Sequence, residues 1–204
     1  MEAIVLSRRD FREFDQIISL YTREYGKLEL LARGVKKITS KNSAHLEPFS
    51  IVDIEIAVGK EIDHLTKVQP VAYFKNIRTD LYKSLAAQYV VSLTDKLMQV
   101  GERDERIFEL LLSWLQFVNI QYPISNIQLL LDGYIVKLLY CLGFAPFQNS
   151  SFAKWKQVLQ IMESGDWSLI VQLEFDSNLH KKVHGFLQYQ TERQIADWTR
   201  TCII

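Results

Sequence analysis

The 204 residues are enough for a substantial core in one or two domains, and 48% apolar composition places the chain among globular proteins and outside the disordered class. Lys plus Arg is 24 and Asp plus Glu is 24, so the net charge is zero, which excludes a protein that coats nucleic acid by bulk charge. A local basic patch is still allowed, because salt screens charges beyond about 10 Å.

The N-terminal third predicts β structure. Ala3 to Ser7 (AIVLS) is a short β-prone run that ends in a charged corner, Arg8-Arg9-Asp10. Gln16 to Thr22 is a second strand candidate, and Arg23 to Lys27 contains the Gly26 of a hairpin turn. Leu28 to Val35 is the third strand. From Phe49 to Val58 the residues Val52, Ile54, Ile56 and Val58 alternate with Asp53, Glu55 and Ala57, the period of a half-buried strand. Gly59-Lys60 makes a turn, Ile62 to Val68 is the fifth strand, and Pro70 closes it. Five short antiparallel strands in about 70 residues suit a small closed barrel of the OB-fold kind.

Beyond Tyr73 the period becomes helical. Leu81, Leu85, Tyr89, Leu93 and Leu97 mark a helix over 79–100 ended by Gly101. Asp104 caps a second helix with Ile107, Leu111, Leu115 and Val118, which stops before Pro123. Ser125 caps a third, over 126–142, ended by Gly143 and Pro146. Further helices are expected over 153–163 and 178–199, and Trp167 to Phe175 fits either a strand or a helical turn. The expected fold is α+β: a five-stranded OB-fold-like β-barrel over 1–75, followed by a helical domain over 76–204.

Catalytic and metal-binding patterns are weak. Cys141 and Cys202 are far apart and no CxxC occurs, which excludes a zinc ribbon and fits a reducing cytoplasm. His180 and His184 share a helix face but lack the HExxH glutamate and a third ligand, so they read as surface histidines. Asp53 and Glu55, about 7 Å apart along a strand, read as its wet face. No GxSxG, Walker-type loop or GxGxxG is present, so neither an enzyme nor a cofactor is expected. No signal peptide is visible, and the apolar stretch from Leu129 to Ala145, interrupted by Asp132 and Lys137, is too short to span a bilayer, so a cytoplasmic protein is expected.

The chemistry that stands out is basic. Arg8, Arg9 and Arg12 cluster at the first corner, Arg23 and Lys27 flank the second turn, and Arg33, Lys36, Lys37 and Lys41 form a loop with no acid before Glu47. Arginine offers paired donors to phosphate, and lysine offers a movable point charge. Phe11, Phe14, Tyr21 and Tyr25 are interleaved, and aromatic faces can stack unpaired bases. All nine cations are candidate DNA contacts. On the helical side, Leu129, Leu130, Leu131, Leu138 and Leu139 exceed one helical stripe, and a groove left between helices would suit an apolar peptide tail.

Over its first 70 or so residues the chain resembles the bacterial recombination and repair family RecO. The resemblance rests on AIVLSRRDFREFDQIISLYTREYGKLELLARGVKK and LEPFSIVDIEIAVGKEIDHLTKVQP, in which Ala32-Arg33-Gly34, the basic loop and Pro48-Phe49-Ser50 follow in the family's order. LLYCLGFAPF, at Leu138 to Phe147, is similar to the family's leucine-rich segment ending in GxAP. The resemblance implies an N-terminal OB-fold and a C-terminal helical domain in a non-enzymatic recombination mediator of DNA repair. Such a protein binds single- and double-stranded DNA, promotes strand annealing, recognises the tail of single-stranded DNA-binding protein, and acts with RecR in loading RecA. The family's basic loop carries over onto Arg33, Lys36, Lys37 and Lys41, and its first-strand arginines onto Arg8 and Arg9. Three departures stand out. The cysteine pairs that bind zinc in many members are replaced by Gln148-Asn149-Ser150-Ser151. Arg12 stands where the family has a turn glycine. The chain is also shorter after Phe147 and neutral overall, which implies weaker DNA binding and more reliance on protein partners. The alternative from the residues alone is an interaction adaptor whose barrel has lost useful DNA binding.

Overall fold

The computed structural model describes residues 1–38, 40, 42–120, 126–144, 153–174, 181 and 183–192. Five strands, β1 (Glu2–Asp10), β2 (Gln16–Thr22), β3 (Gly26–Ala32), β4 (Ile51–Ala57) and β5 (His64–Ala72), close into a barrel in the order β1-β2-β3-β5-β4. Neighbours are antiparallel except β3 and β5, which meet in parallel at Leu31 and His64. The inward set Val5, Ile18, Leu20, Leu30, Val52, Ile54 and Val68 fills the barrel. A five-stranded barrel with this closure is the OB-fold expected from the pattern.

One strand runs on where the sequence suggested a stop. Pro70 lies inside β5, opposite Val52. Past His64 the far edge of β5 pairs with no strand, so a residue without an N–H costs no ladder hydrogen bond there.

Three helices complete the first compact unit, which runs from Met1 to Ile120: α1 (Lys75–Arg78), α2 (Leu81–Leu97) and α3 (Glu105–Asn119). The expected division after residue 75 therefore falls inside this unit. α2 opens on Asp80, whose carboxylate accepts from the Lys83 N–H, and α3 on Asp104, which accepts from the Arg106 N–H at 2.9 Å. α2 ends at Leu97, three residues before Val100; Gly101 (φ 83°) instead donates its N–H to the Lys27 carbonyl.

The helices cover the outer face of β2. All but the first of its residues are buried, so the period-two signal is lost in that strand. At the centre of this contact Asp95 of α2 accepts hydrogen bonds from Ser7 Oγ (2.7 Å) and Ser19 Oγ (2.6 Å) and pairs with Lys27 Nζ (2.9 Å). A bulge in β1 between Val5 and Ser7 sets the register that brings Ser7 opposite Ser19. Lys27 also donates to the Asp95 and Met98 carbonyls. Nearby, the Tyr21 hydroxyl accepts from the Asp104 N–H (3.2 Å) and donates to its carbonyl (3.1 Å). Arg23 lies over the Phe108 ring and pairs with Glu105, Glu109 and Glu2. A second clasp is Arg78, held between the Phe49 and Tyr73 rings at 4.2 and 4.1 Å and donating to the Pro48 carbonyl and Ser50 Oγ. Pro48-Phe49-Ser50 is thus an anchor for the helices, with Phe49 at φ 55°.

The second unit, from Gln121 onward, contains α4 (Ile127–Cys141), α5 (Ala153–Ser164), α6 (Trp167–Ile170) and helical residues 183–192. The ambiguous stretch from Trp167 resolves as one helical turn, seated where Gly133 of α4 leaves room for Ile170. Fully buried Asp132 accepts from His184 Nδ1 at 2.7 Å, so His184 has a structural partner that the His180/His184 spacing did not suggest. His180, Ser125 and Pro146 lie outside the described residues.

Burial works against the charge of Asp95, but hydrogen bonds from Ser19, Ser7 and Lys27 prevail and hold its carboxyl below the ordinary carboxylate value. The stability this adds is complete above the ordinary range near about 4 and is lost as pH falls through the lowered value. Asp95→Ala leaves Lys27 buried without its counter-charge and should cost about 3 kcal/mol. A fall in the denaturant midpoint at neutral pH checks this, and the difference from wild type should shrink on acidification.

Candidate nucleic-acid interface

The strand registers sort the nine expected cations. Thr22 pairs with Gly26 at one end of β2 and Gln16 with Ala32 at the other. The β2–β3 turn is therefore about 20 Å from the loop that follows β3, at the usual rise per residue. Arg23 and Lys27 belong to the helix-covered end. Lys27, expected at phosphate, is 8% exposed and tied to Asp95, and Arg23, also expected there, is shared among three glutamates, so both already hold acidic partners within the chain. Tyr21, with its buried ring, and Tyr25, at the same turn, leave the site with them.

At the opposite end three loops meet. The β1–β2 loop is a tight turn in which Phe11 and Arg12 donate their N–H groups to the Asp15 carbonyl. The loop after β3 is bonded to it twice: Gly34 N–H donates to Asp15 Oδ1 at 2.8 Å, and Lys36 N–H donates to the Phe14 carbonyl at 3.1 Å. Gly34 takes φ 64°, a left-handed turn that explains the glycine of Ala32-Arg33-Gly34. The third loop is the β4–β5 connection, held by Gly59 N–H to Asp63 Oδ1 and by Leu31 N–H to the Asp63 carbonyl.

The cations at this end differ in what they already hold. Arg8 pairs with Glu47, Arg9 with Glu29 and Lys36 with Asp10, each within 2.8 Å. Hydrogen bonds from Gln16 and from Lys36 keep the Asp10 carboxyl below its ordinary value. Among the described residues, Arg12, Arg33, Lys37 and Lys60 pair with no acid. Arg12 lies over Phe11 and Lys37 over Phe14, and both rings are 43% exposed. Arg33 Nη2 is 3.2 Å from His64 Nε2. A guanidinium can only donate, so Nε2 is the acceptor and Nδ1 carries the proton. That Nδ1 is buried, with no hydrogen-bond partner among the described residues. Lys41 lies outside the described residues.

Between the β1–β2 loop and the β4–β5 connection is a cavity of about 480 Å³. Phe11, Arg12 and Arg33, three of the residues singled out in the sequence, are joined there by Lys60 and His64. Lys60 and His64 had passed as turn and strand residues, because nothing in their local sequence marks proximity to a loop 30 residues earlier. Asp53 and Glu55 have the surface role expected of them: Glu55 pairs with Lys67, and Asp53 with the Met1 amine. Among the described residues no group of three or more His, Cys, Asp or Glu could hold a metal ion, and no helix is long and apolar enough to cross a membrane.

Two family models match the chain in succession, Recombination protein O N terminal over residues 1–74 and Recombination protein O C terminal over residues 78–154. The chain belongs to the RecO family. A DNA repair protein RecO of Desulforamulus reducens is 33% identical over 146 residues, 72% of this chain and 56% of the relative. That of Symbiobacterium thermophilum is 34% identical over 146 residues, 72% of this chain and 57% of the relative, and that of Geobacter sulfurreducens 36% over 118, 58% and 49%. The chain thus spans about half the length of the RecO relatives it matches. The RecO N-terminal match ends where β5 gives way to α1, so it takes in the whole barrel, although α1–α3 are packed with it.

Gly34→Ala places a side chain at a left-handed position where its Cβ meets only the flexible Lys37 side chain, at 3.5 Å. The cost is therefore backbone strain, about 1 kcal/mol, seen as a lowered denaturant midpoint. Gly34→Asn should recover part of it, because asparagine tolerates this conformation.

Proposed function

We propose that this chain is a recombination mediator of DNA repair, acting in the cytoplasm at the nucleoid. It binds single- and double-stranded DNA through phosphates with little sequence preference, and it promotes annealing of complementary strands. The observation that carries this reading is the set of cations without acidic partners, Arg12, Arg33, Lys37 and Lys60, around one barrel end whose loops are bonded to each other. Phosphates bound there would displace condensed counterions, and no base edge need be read. With both strands held by loop cations, repulsion between their backbones falls and complementary bases can pair.

By family membership its partners are a RecR-like mediator, the C-terminal tail of single-stranded DNA-binding protein and, through them, RecA. The helical unit is the place for a peptide tail in this reading. Of the nine cations first expected at DNA, we keep Arg12, Arg33 and Lys37 as primary contacts. Lys36, Lys41, Arg8 and Arg9 are contacts that exchange an internal partner or extend the loop.

The adaptor reading draws on a specific observation, that Arg8, Arg9 and Lys36 are already neutralised within the chain. A salt series decides between the two. Binding of a labelled single strand, followed by fluorescence anisotropy, should weaken steeply with salt. Replacing Arg33, Lys36 and Lys37 together by Ala should lower the logarithmic slope by about 2, at roughly 0.7 per lost phosphate contact. Arg23→Ala, at the far end, should leave the slope as it is. An unchanged slope in the triple variant moves the DNA surface elsewhere, and negligible binding at low salt favours the adaptor.

A further inference from the structure

The cavity at the barrel end has a composition that phosphate binding alone does not call for. One wall is apolar: Phe11 from the β1–β2 loop, Leu31 from β3, and Val58 and Ile62 from the β4–β5 connection. Val58 is 90% exposed and Phe11 43% exposed, so two apolar groups stand in water at the mouth of a charged site. Phosphate gives such groups nothing. Arg12, Arg33 and Lys60 are set around the same opening, with Glu61 the one acid in its lining. The volume, about 480 Å³, lies within the range of small-ligand pockets.

We propose that this cavity takes a single unpaired nucleotide of a DNA strand, its base against Phe11 and the Val58–Ile62 edge and its flanking phosphates on Arg12, Arg33 and Lys60. The assignment rests on the DNA-binding reading above and adds to it a subsite that tells one strand from two. In a duplex each base has both faces covered by its neighbours and its pairing edge taken. A base lies flat on an aromatic wall only when it is unpaired and unstacked. Duplex DNA meets the loop cations but leaves the cavity empty.

The arrangement around Arg33 suits exchange. Its contact at this site is a hydrogen bond to neutral His64, which a phosphate can replace with a charge-assisted one. Lys36 must instead leave the Asp10 carboxylate. Arg33 is therefore more readily recruited than Lys36 when a strand arrives. Pairing with a complementary strand requires the held base to leave, so occupancy of the cavity and completion of a duplex exclude each other. The subsite grips a strand before annealing and loses its grip as annealing finishes.

The test compares affinities for a labelled oligothymidine strand and for a hairpin duplex of equal phosphate number at one salt concentration. Phe11→Ala should lower the ratio of single- to double-strand affinity five- to tenfold, and Phe11→Trp should keep the ratio at or above that of wild type. The Arg33, Lys36 and Lys37 triple alanine should weaken both DNAs. Phe11 is half exposed at a loop, and an unchanged thermal melt shows that the variant is folded. If wild type binds both DNAs with a steep salt slope but Phe11→Ala leaves the ratio unchanged, the nucleotide subsite is overturned while the phosphate site stands. If wild type binds neither DNA at low salt, both fall.

Discussion

Asp95 is the constraint on which the first unit depends. A carboxylate of α2 is taken largely out of water and is stable there because two serines and a lysine from three different strands converge on it. The same contact fixes the bulge in β1, fastens the β2–β3 turn to the chain after α2, and places α2 and α3 across the outer face of β2. That face of strands two and three is where OB-folds commonly meet oligonucleotides. Here the chain's own helices occupy half of it. What remains open is the end marked by Leu31 and Arg33, so the internal clasp decides where a ligand can go.

At that end stiffness is shared. The basic loop is not a free tether, because Asp15 and Phe14 of the β1–β2 loop receive its backbone N–H groups. Nor is it uniformly cationic, since Lys36 is paired with Asp10. The result is a graded set of charges on one scaffold: some available at once, some released only in exchange for an internal partner. Such a set limits attraction at long range, in keeping with zero net charge, and keeps attraction strong in contact.

Much of the barrel is legible in the sequence because its determinants are local. The alternation from Val52 to Val58 and the glycines at 26, 34 and 59 mark strands and turns by short-range rules. β2 was recognisable as a strand but not as a doubly covered one, because coverage comes from residues 80 positions later. The cations show the same limit. Arg23, Lys27 and Lys37 look alike in sequence, and only the register of β2 against β3 shows that the first two face helices and the third faces solvent. Pro70 was read by its usual habit as a terminator, and the exception depends on which strand lies beyond β5. Asp132 and His184 are 52 residues apart, so no window in the sequence could join them.

The barrel closes between β3 and β5 at one parallel pair, Leu31 with His64, while its other seams pair three residues (β1 with β4) or seven (the rest). Leu31 and His64 both line the cavity. The thinnest seam of the barrel therefore also lines the cavity. On the nucleotide reading proposed above, the occupant bridges two strands that hold each other weakly, and by mass action it stiffens the barrel as it binds. On that reading recognition and closure are one equilibrium.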